Sequence, residues 1–504
     1  MSVATPLKGR IMFQDLFITK PIAPAGHVDA GEPVEGSLQG EITLKRTLTA
    51  KQLFLLGVGA IIGAGIFVMT GTAAANYAGP AVILSFVIAG TACAFAGLCY
   101  AEFAAMLPVS GSAYSYAYTT LGEFVAWFIG WTLVLEYLLA ASTVAVGWSG
   151  YMNSFLGTLG MAIPDVLSSA PLDMIQGSIK MTGSLINLPA VLIVAAITGL
   201  VYVGISQSAW VNAIIVTIKV VVILLFLAFG LQYVNPENWV PFIPDRVIDA
   251  DGTSHYGIQG VIRASAVVFF AYIGFDAVST AAGEAKNPQR DMPIGILGSL
   301  VFCTILYIAM SAALTGMMPY FELGTAKPVA TALQNYPDLL WLKTVVELGA
   351  IAGLSSVILV MLMGQPRIFY SMAKDGLMPS MFGKVHPKHR TPYIGTVIVG
   401  VVAATMAGLF PISFLGDLVS MGTLLAFATV CVGVLILRRT RPDIRRPFRV
   451  PAAVIICPLG AAACLYLFWQ PFMEHWHLML GWTAIGMSIY AFYGYHHSRL
   501  RQRS

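Results

Sequence analysis

The chain has 504 residues, of which 57% are hydrophobic and only 10% are charged, and its formal net charge is +4. Because about a quarter of the residues in an average soluble protein are charged, this composition excludes an ordinary soluble enzyme or binding domain. The apolar residues recur in runs of roughly 20, the length that crosses a hydrocarbon core of about 30 Å. The sequence therefore predicts an all-α polytopic membrane protein.

Residues 1–44 form a polar N-terminal tail that contains proline and glycine and lacks the short apolar core of a signal peptide. The apolar runs that follow predict twelve membrane spans, numbered here as spans 1 to 12. They cover approximately residues 53–75, 81–107, 121–155, 187–206, 210–232, 257–283, 293–316, 342–371, 393–410, 413–437, 452–471 and 478–496. Span 1 is expected to act as the insertion signal.

Lysine and arginine are distributed unevenly between the two sides of these spans. If both termini lie in the cytoplasm, the inner segments carry 22 of the 28 basic residues and the outer loops carry only four, while Lys219 and Arg263 lie within spans. Basic residues accumulate on the cytoplasmic side of membrane proteins. The pattern predicts cytoplasmic termini, and it accounts for the positive charge without a nucleic-acid partner.

Span 1 carries four glycines in the nine residues from Gly57 to Gly65, and Gly63-Ala64-Gly65 has almost no side chain. Glycine costs about 1 kcal/mol relative to alanine in a helix interior, so this sequence favours opening of the helix. Irregular backbone at membrane depth occurs where it is buried in protein or lines a cavity. We therefore expect a broken helix, although close packing of another helix against Gly59 and Gly63 explains the same glycines.

Span 6 is interrupted in a similar way, because its apolar run contains Gly274 and the ionisable Asp276 halfway along. Spans 1 and 6 are five spans apart and therefore cross the membrane in opposite senses. Paired broken helices at corresponding positions of two inverted repeats mark a binding site near the bilayer midplane. The second break favours a binding site over simple helix packing.

The two predicted breaks expose backbone groups of both signs. The half-helix after Gly63-Ala64-Gly65 presents N–H groups and the positive end of its dipole, which favour a carboxylate. The preceding half-helices end in carbonyl groups that favour an ammonium group or a cation. These carbonyls belong to Ile61, Phe270, Ala271 and Ile273. A small solute that carries both groups is an α-amino acid.

Two ionisable residues lie deep within spans. Lys219 lies near the middle of span 5, where a charged group is costly and is therefore a functional candidate. Burial disfavours the ammonium form of a lysine, so Lys219 is a candidate proton-coupling group, and the alternative is a fixed ammonium bonded to backbone carbonyls. Glu136, in the middle of span 3, either relays protons or faces the cavity, or it pairs with a buried hydroxyl or amine.

Four further residues have structural as well as functional interpretations. Phe275, beside the span 6 break, either closes over a bound solute as a gate or simply packs. Asp276 either caps the second half-helix or has a gating or ion-binding role. Glu102, near the cytoplasmic end of span 2, is expected to anchor a loop, and Arg263 is expected to extend outward to the interface.

Motifs of soluble-enzyme chemistry are absent from the sequence. There is no Walker loop and no cluster of histidine, cysteine or carboxylate residues with metal-ligand spacing. The six cysteines all lie in apolar runs, as expected for small buried residues. We therefore predict that the chain is not an enzyme, uses no cofactor or metal, and takes its energy from a gradient or from exchange.

Five motifs occur in combination along the chain. They are Gly59–Phe67 in span 1, Tyr100–Phe103 in span 2, Pro108–Tyr114 after it, Glu284–Pro293 after span 6 and Pro366–Gly376 at the end of span 8. With these motifs the chain resembles the amino acid–polyamine–organocation superfamily, and most closely the bacterial members of its cationic amino acid transporter branch. The resemblance covers about residues 41–500.

This resemblance implies a domain organisation. A core at 45–440 contains inverted repeats of five helices each, at about 45–232 and 257–437, with broken spans 1 and 6. Residues 1–44 form the cytoplasmic tail, and residues 441–504 form two peripheral helices and the cytoplasmic C-terminus. The resemblance also implies a multi-pass protein of the bacterial cytoplasmic (inner) membrane.

The resemblance further implies how the site works. The substrate carboxylate binds at Gly63, Ala64 and Gly65, the amine binds at the four carbonyls named above, and spans 1 and 6 provide alternating access. In similar proton-coupled members a span 5 lysine occupies the place of a sodium ion, and Lys219 matches that lysine.

Transporters of arginine and lysine in this branch carry a serine in span 8 where this chain has Met361. Because a bulky thioether fills the space that a long cationic side chain needs, we predict neutral substrates.

The sequence thus predicts a secondary active transporter that imports neutral, alanine-like L-amino acids by proton symport. The alternatives are an amino acid exchanger without net ion coupling, a cationic amino acid or polyamine transporter, a channel, and a receptor-like protein without flux. The expected partners are the amino acid, protons and the lipid bilayer. The sequence leaves open whether a small single-span membrane subunit is a further partner, and it does not fix the oligomeric state.

Overall fold

The structure is a computed structural model, and it describes residues 16–21, 47–107, 111–175, 178–204, 209–248, 254–389 and 391–503. Most of the tail predicted at 1–44 lies outside these residues, and so does Pro108–Ser110 of the motif after span 2. The described part of the chain consists almost entirely of helices, which confirms the predicted all-α architecture.

The α-helices are numbered in chain order. They are α1 (Ala50–Ile61), α2 (Thr70–Ala73), α3 (Val82–Met106), α4 (Ser112–Thr120), α5 (Glu123–Thr158), α6 (Asp165–Ser168), α7 (Leu188–Tyr202), α8 (Ala209–Gly230), α9 (Gly257–Phe269), α10 (Phe275–Thr280), α11 (Pro288–Met317), α12 (Pro328–Gln334), α13 (Leu340–Lys374), α14 (Tyr393–Leu409), α15 (Ile412–Thr440), α16 (Ala453–Ile489), α17 (Tyr495–His497) and α18 (Arg499–Arg503). Shorter π and 3₁₀ turns continue or join them. These turns are Gly65–Met69, Ala74–Ala78, Gly79–Ala81, Leu231–Tyr233, Pro236–Trp239, Phe270–Tyr272, Ala282–Glu284, Tyr320–Leu323, Pro337–Leu339, Ser380–Gly383 and Tyr490–Gly494.

Eight helical stretches in the described part of the chain are long and apolar enough to cross a membrane. The first, Ala50–Met106, contains predicted spans 1 and 2, and Gly79, with φ of 60°, turns the chain between them. The last, Ala453–Gln502, contains spans 11 and 12, which are separated by the non-helical backbone of His475. Spans 4 and 9 correspond to the two shorter apolar helices α7 and α14. Within the described residues, each of the twelve predicted spans therefore contains helix.

In the described part of the chain, two short antiparallel hairpins lie on the side of the bundle opposite the termini. Strand β1 (Leu172–Ile175) pairs with β2 (Ser178–Met181) between α6 and α7. Strand β3 (Val247–Ile248) pairs with β4 (Ser254–His255) before α9. Both hairpins connect spans, so the membrane-crossing part of the described chain remains helical.

Helices at corresponding positions of the two predicted repeats pack against one another. Span 3 packs on span 8 (α5 on α13), span 2 on span 7 (α3 on α11), span 4 on span 9 (α7 on α14), and the inner half of span 1 on the inner half of span 6 (α1 on α10). Helix α16, which contains span 11, lies outside this arrangement against α15 and α3. Spans 1 and 6 are thereby enclosed by the other helices of the core.

Six residues of the N-terminal tail pack against the core. The N–H of Glu123 donates to the carbonyl of Ile18, the N–H of Lys20 donates to the carbonyl of Tyr118, and the Lys20 ammonium lies 2.8 Å from Asp375. Residues 16–21 thus lie against the start of span 3 and reach the loop after span 8.

Candidate functional site

Helix α1 begins with a capping box and ends at the predicted break. The side chain of Thr49 accepts from the N–H of Gln52, and the Gln52 side chain accepts from the N–H of Thr49. Beyond Ile61 the backbone of Ile62 turns to φ −72° and ψ 97°, and the helix resumes at Gly65. The first N–H groups of a resumed helix have no intrahelical acceptor, so they are available to an anion.

Span 6 breaks at the predicted position. A 3₁₀ turn at Phe270–Tyr272 leads to an extended Ile273 and to Gly274 with φ of 121°, after which α10 begins. This φ is one that glycine adopts readily and other residues rarely adopt. The break in span 6 is therefore set by backbone geometry that Gly274 permits.

The two breaks approach each other so closely that side chains are excluded. A Cβ added at Gly65 would lie 2.3 Å from the Cα of Ala271, and one added at Gly274 would lie 2.8 Å from the carbonyl carbon of Ala60. Both separations are far below ordinary van der Waals contact. Gly65 and Gly274 thus allow the opened segments of spans 1 and 6 to lie in direct backbone contact.

A small cavity lies at this junction. In this conformation its volume is about 10 Å³, close to the space that a single water molecule needs. The cavity is lined by Ala60, Ile61, Ala64, Gly65, Ala140, Val144, Phe270, Ile273, Val357 and Met361. All of these side chains are apolar, so any polar contact with a solute comes from the backbone of the two breaks.

Six of the eight predicted substrate-binding residues line this cavity. They are Ile61, Ala64, Gly65, Phe270, Ile273 and Met361. Gly63 and Ala271 are not among the lining residues: Gly63 packs near Val357, and Ala271 packs on Gly65. The sequence analysis did not identify Ala60, Ala140, Val144 or Val357, because an alanine or valine in an apolar span carries no signal of a binding role.

Tyr307 of span 7 occupies two of the carbonyls that were predicted to receive the amine. Its hydroxyl lies 2.8 Å from the carbonyl oxygen of Ile61 and 2.7 Å from that of Ala271, and it is fully buried. One hydroxyl carries one proton, so the two carbonyls share it. Tyr307 therefore holds the broken ends of spans 1 and 6 together. A tyrosine inside an apolar span needs a hydrogen-bond partner for its buried hydroxyl. The position of Tyr307 in span 7 was therefore a signal in the sequence that the residue makes a polar contact.

Lys219 binds the opened segment of span 1. Its ammonium lies 2.8 Å from the carbonyl oxygen of Gly59 and 2.9 Å from that of Ile62, and the side chain is fully buried. Its stem packs against Gly353 of span 8, where an added Cβ would lie 3.0 Å from Cε. Lys219 thus connects span 5 to the break in span 1 beside span 8.

Glu136 is buried on span 3 and makes no ion pair with Lys219. Neither of its carboxylate oxygens has a hydrogen-bond partner among the described residues. The side chain packs beside Gly422 of span 10, where an added Cβ would lie 3.7 Å from that of Glu136. A direct relay between Lys219 and Glu136 is therefore absent from this conformation.

Asp276 accepts hydrogen bonds on both sides of its carboxylate. The N–H of Gly274 donates to Oδ1 at 3.2 Å, and the hydroxyl of Tyr137 donates to Oδ2 at 3.2 Å. The carboxylate therefore satisfies an N–H at the break itself and connects span 6 to span 3. The capping interpretation is wrong in its position, because Gly274 is the N-cap residue of α10 and no side chain caps that helix, while Asp276 bonds the Gly274 N–H from within the first turn.

The predicted gate residue Phe275 lies next to the cavity and does not line it. Its ring is fully buried, with the ring of Phe427 at 4.8 Å and that of Tyr100 at 5.7 Å between centroids. These three rings come from spans 6, 10 and 2. They form an aromatic plug (Tyr100, Phe275 and Phe427) on the side of the break that leads to the termini.

Arg263 does not extend to the interface as expected. Its guanidinium lies 2.7 Å from Asp417 and 2.7 Å from Glu474, and the residue is only 5% exposed. The Nε2 of His475 lies 3.5 Å from the same aspartate. Among the described residues, Asp417, Glu474 and His475 bring ligand atoms within 4.8 Å of one another, as a metal site would. Arg263 already supplies positive charge to both carboxylates, so we assign this group to an ion-pair network.

The short helix α12 is tied to spans 3 and 8 by a buried polar chain. The Lys327 ammonium donates to the Ser154 hydroxyl at 3.0 Å, and that hydroxyl lies 2.5 Å from Glu347. Desolvation by burial lowers the pKa of Lys327, a position in the loop between α11 and α13. The chain of contacts fixes this loop over the end of the bundle opposite the termini.

Comparison with known proteins agrees with this architecture. A family model described as "Amino acid permease" matches residues 48–493. The chain is 48% identical over 468 residues to the branched-chain amino acid permease BcaP of Bacillus subtilis, covering 92% of this chain and 96% of the relative. It is 45% identical over 460 residues to the methylthioribose transporter of the same organism, covering 91% and 96%.

A plant relative is more distant. The vacuolar cationic amino acid transporter 4 of Arabidopsis thaliana is 38% identical over 405 residues, covering 80% of this chain and 65% of the relative. The proteins named here are all permeases or transporters, and the matched region includes both breaks and the cavity between them.

Proposed function

The chain belongs to the amino acid permease family, and we propose that it imports neutral, apolar L-amino acids by proton symport with alternating access. One observation carries the proposal: a cavity with apolar lining lies where the opened backbones of spans 1 and 6 meet. Backbone N–H and carbonyl groups recognise the part that all amino acids share. The surrounding apolar side chains then select the substrate side chain.

The apolar lining of the cavity supports substrates with apolar side chains. Met361 and Val357 of span 8 face Ala140 and Val144 of span 3 across it. A cationic side chain would have no acceptor there, and burying an unpaired charge is strongly unfavourable. The branched-chain permease among the relatives supports the same substrate class, with leucine, isoleucine and valine at its upper size and alanine at its lower size.

Lys219 is the proposed coupling group. Its ammonium bonds two carbonyls of the opened span 1, so loss of its proton would weaken the hold of span 5 on that segment. The alternative is a permanently charged lysine that only fixes the break, and this would accord with an exchanger without net ion coupling. Glu136 remains a proposed second proton-carrying group, acting without direct contact to Lys219.

The proposed transport cycle uses the elements described above. The substrate bridges the two breaks, with its carboxylate at Gly63–Gly65 and its amine at the carbonyls of spans 1 and 6. Phe275 and the aromatic plug open to release it on the side of the termini. The excess of lysine and arginine on that side supports its assignment to the cytoplasm, and a bacterial inner membrane is the proposed location.

A ligand panel tests the recognition step. Leucine, 4-methylpentanoic acid and 3-methylbutylamine share a side chain but carry both charged groups, only the carboxylate or only the amine. A hydrogen bond to a charged group contributes about 1.5–3 kcal/mol, so each one-ended analogue should bind at least about tenfold more weakly than leucine. Equal binding of leucine and either analogue to the purified protein would refute recognition of the zwitterion.

The same panel separates the alternatives. Arginine and methylthioribose are included because relatives are named for cationic amino acids and for methylthioribose. We expect neither to compete with leucine. Tight binding of methylthioribose without binding of leucine would replace the proposed substrate class, and competition by arginine would contradict the role of Met361.

A further inference from the structure

An arginine-rich loop joins spans 10 and 11. It carries more arginines than take part in contacts within the protein. Residues 438–449 contain six arginines and one acidic residue, Asp443. The loop is described completely and lies on the side of the termini. Its arginines divide into two that build the loop and four that face outward.

The loop is fixed by Glu102 of span 2. One carboxylate oxygen lies 3.0 Å from Nε of Arg438, at the start of the loop, and the other accepts from the N–H of Val450, at its end, at 2.7 Å. Glu102 is 1% exposed. A single buried carboxylate therefore closes the loop at both ends.

Arg446 organises the loop from within. Its guanidinium donates to the carbonyls of Leu437 at 3.1 Å, Arg441 at 2.7 Å and Ile444 at 2.8 Å. These bonds leave the loop little freedom, so its remaining side chains project from a preformed backbone. Preorganisation of this kind lowers the entropic cost of binding a ligand.

Four arginines remain for an outside partner. Arg439, Arg441, Arg445 and Arg449 are exposed, and no hydrogen bond or ion pair of their guanidinium groups occurs with the described residues. Helix α16 starts directly after the loop without a side-chain cap, so its positive end adds to the charge. This positively charged surface is suited to binding an anionic partner.

An exposed apolar face adjoins these arginines. Val454, Ile455 and Leu459 in the first turns of α16 are 81%, 61% and 50% exposed. Ile455 and Leu459 are four residues apart and lie on one face of the helix. In a bilayer this face contacts acyl chains directly beside the arginines, so one lipid can use both surfaces.

We propose that the arginine loop and the start of α16 form a binding site for an anionic phospholipid of the adjacent leaflet. The headgroup phosphate is held by the guanidinium groups of Arg439, Arg441, Arg445 and Arg449, which suit phosphate oxygens in a bidentate geometry. The acyl chains lie on the apolar face of α16. Because Glu102 joins the loop to span 2, lipid binding stabilises the contact between the core and span 11.

The proposal goes beyond the ordinary accumulation of basic residues on one side of a membrane protein. A topological signal needs only charge, whereas a binding site needs these arginines in this loop. Lys384 and Lys388 lie exposed in the loop after span 8 and supply the same charge on the same side. They provide a control that matches the charge removed.

The test measures lipid binding to the detergent-purified full chain by native mass spectrometry, with short-chain phosphatidylglycerol and phosphatidylcholine as probes. Each basic residue near an anionic surface is worth about fivefold in binding. The double variant Arg441→Gln/Arg445→Gln should therefore bind phosphatidylglycerol about 25-fold more weakly. Lys384→Gln/Lys388→Gln should bind it like the wild type, and all three proteins should bind phosphatidylcholine equally and weakly.

Two further arms keep the result decisive. Arg441→Lys/Arg445→Lys keeps the charge and should retain part of the affinity, which separates lipid binding from misfolding. Glycerol phosphate should displace phosphatidylglycerol only weakly, because it lacks acyl chains. Unchanged phosphatidylglycerol binding in the arginine-to-glutamine variant, equal loss in the lysine control, or equal affinity of the wild type for both lipids would overturn the proposal.

Discussion

Tyr307→Phe removes one oxygen atom from the junction of the two broken helices. In the structure this hydroxyl bonds the carbonyls of Ile61 and Ala271, two of the carbonyls proposed to receive the substrate amine. A bound ammonium must therefore displace the hydroxyl or share the carbonyls with it. The variant leaves both carbonyls without their donor when the cavity is empty and available to the amine when leucine binds.

The size of the effect follows from interhelical hydrogen bonds in membranes. These are worth about 0.6 kcal/mol on average and up to about 1.7 kcal/mol. A hydroxyl shared by two carbonyls thus stabilises the empty protein by about 1–2 kcal/mol. If the amine uses the same carbonyls, that energy no longer opposes binding, and leucine should bind about 5–30-fold more tightly to the variant.

The assay is calorimetric leucine binding together with the melting temperature of the empty protein. Tyr272→Phe is the matched control, because its buried hydroxyl donates to the carbonyl of Phe86 at 2.9 Å, at a position that does not line the cavity. Both variants should melt at a lower temperature than the wild type, and only Tyr307→Phe should bind leucine more tightly. Unchanged or weaker leucine binding in Tyr307→Phe would refute the assignment of these carbonyls to the amine.

Further variants test selectivity, coupling and the outer loop. Met361→Ser should admit arginine, measured as uptake in proteoliposomes, and arginine uptake at background in a well-folded variant would disprove the selectivity role. Lys219→Ala should retain leucine counterflow and lose accumulation driven by a proton gradient; wild-type accumulation would remove the lysine from coupling. Because the folded protein lowers the pKa of Lys327, the unfolded chain binds that proton more tightly, and stability rises with pH up to about 10.4. The wild-type Tm minus that of Lys327→Met should therefore increase toward alkaline pH, and a difference that stays constant with pH would contradict this effect.

The sequence predicted the features of the site that depend on local backbone geometry. Gly65 and Gly274 were informative because each position requires a residue without a Cβ. At Gly65 another backbone approaches closely, and at Gly274 the backbone has a φ of 121°. Helix positions were predictable because long apolar runs have few alternatives in a membrane. The breaks and the spans therefore followed from composition and spacing.

Contacts between distant residues did not follow from the sequence. Tyr307 and Ile61 are 246 residues apart, and Lys20 and Asp375 are 355 residues apart. No local pattern indicates which hydroxyl meets which carbonyl after folding. The outward position expected for Arg263 was wrong for the same reason, since its partner Asp417 lies on span 10 and its partner Glu474 lies between spans 11 and 12.

The cavity lining was only partly predictable. Glycine breaks and carbonyl positions identified the side of the cavity formed by spans 1 and 6. The opposite side depends on which faces of spans 3 and 8 turn inward, and apolar spans carry little amphipathic signal. Ala140, Val144 and Val357 therefore became candidates for selectivity only when the helices were packed together.

Leucine uptake into sodium-free proteoliposomes under an imposed proton gradient tests the central claim most directly. The proposed symport predicts that the wild type concentrates leucine when the outside is acidic, that a protonophore abolishes this accumulation, and that Lys219→Ala shows only counterflow. Leucine counterflow in the wild type without any response to the proton gradient would contradict symport and identify an exchanger.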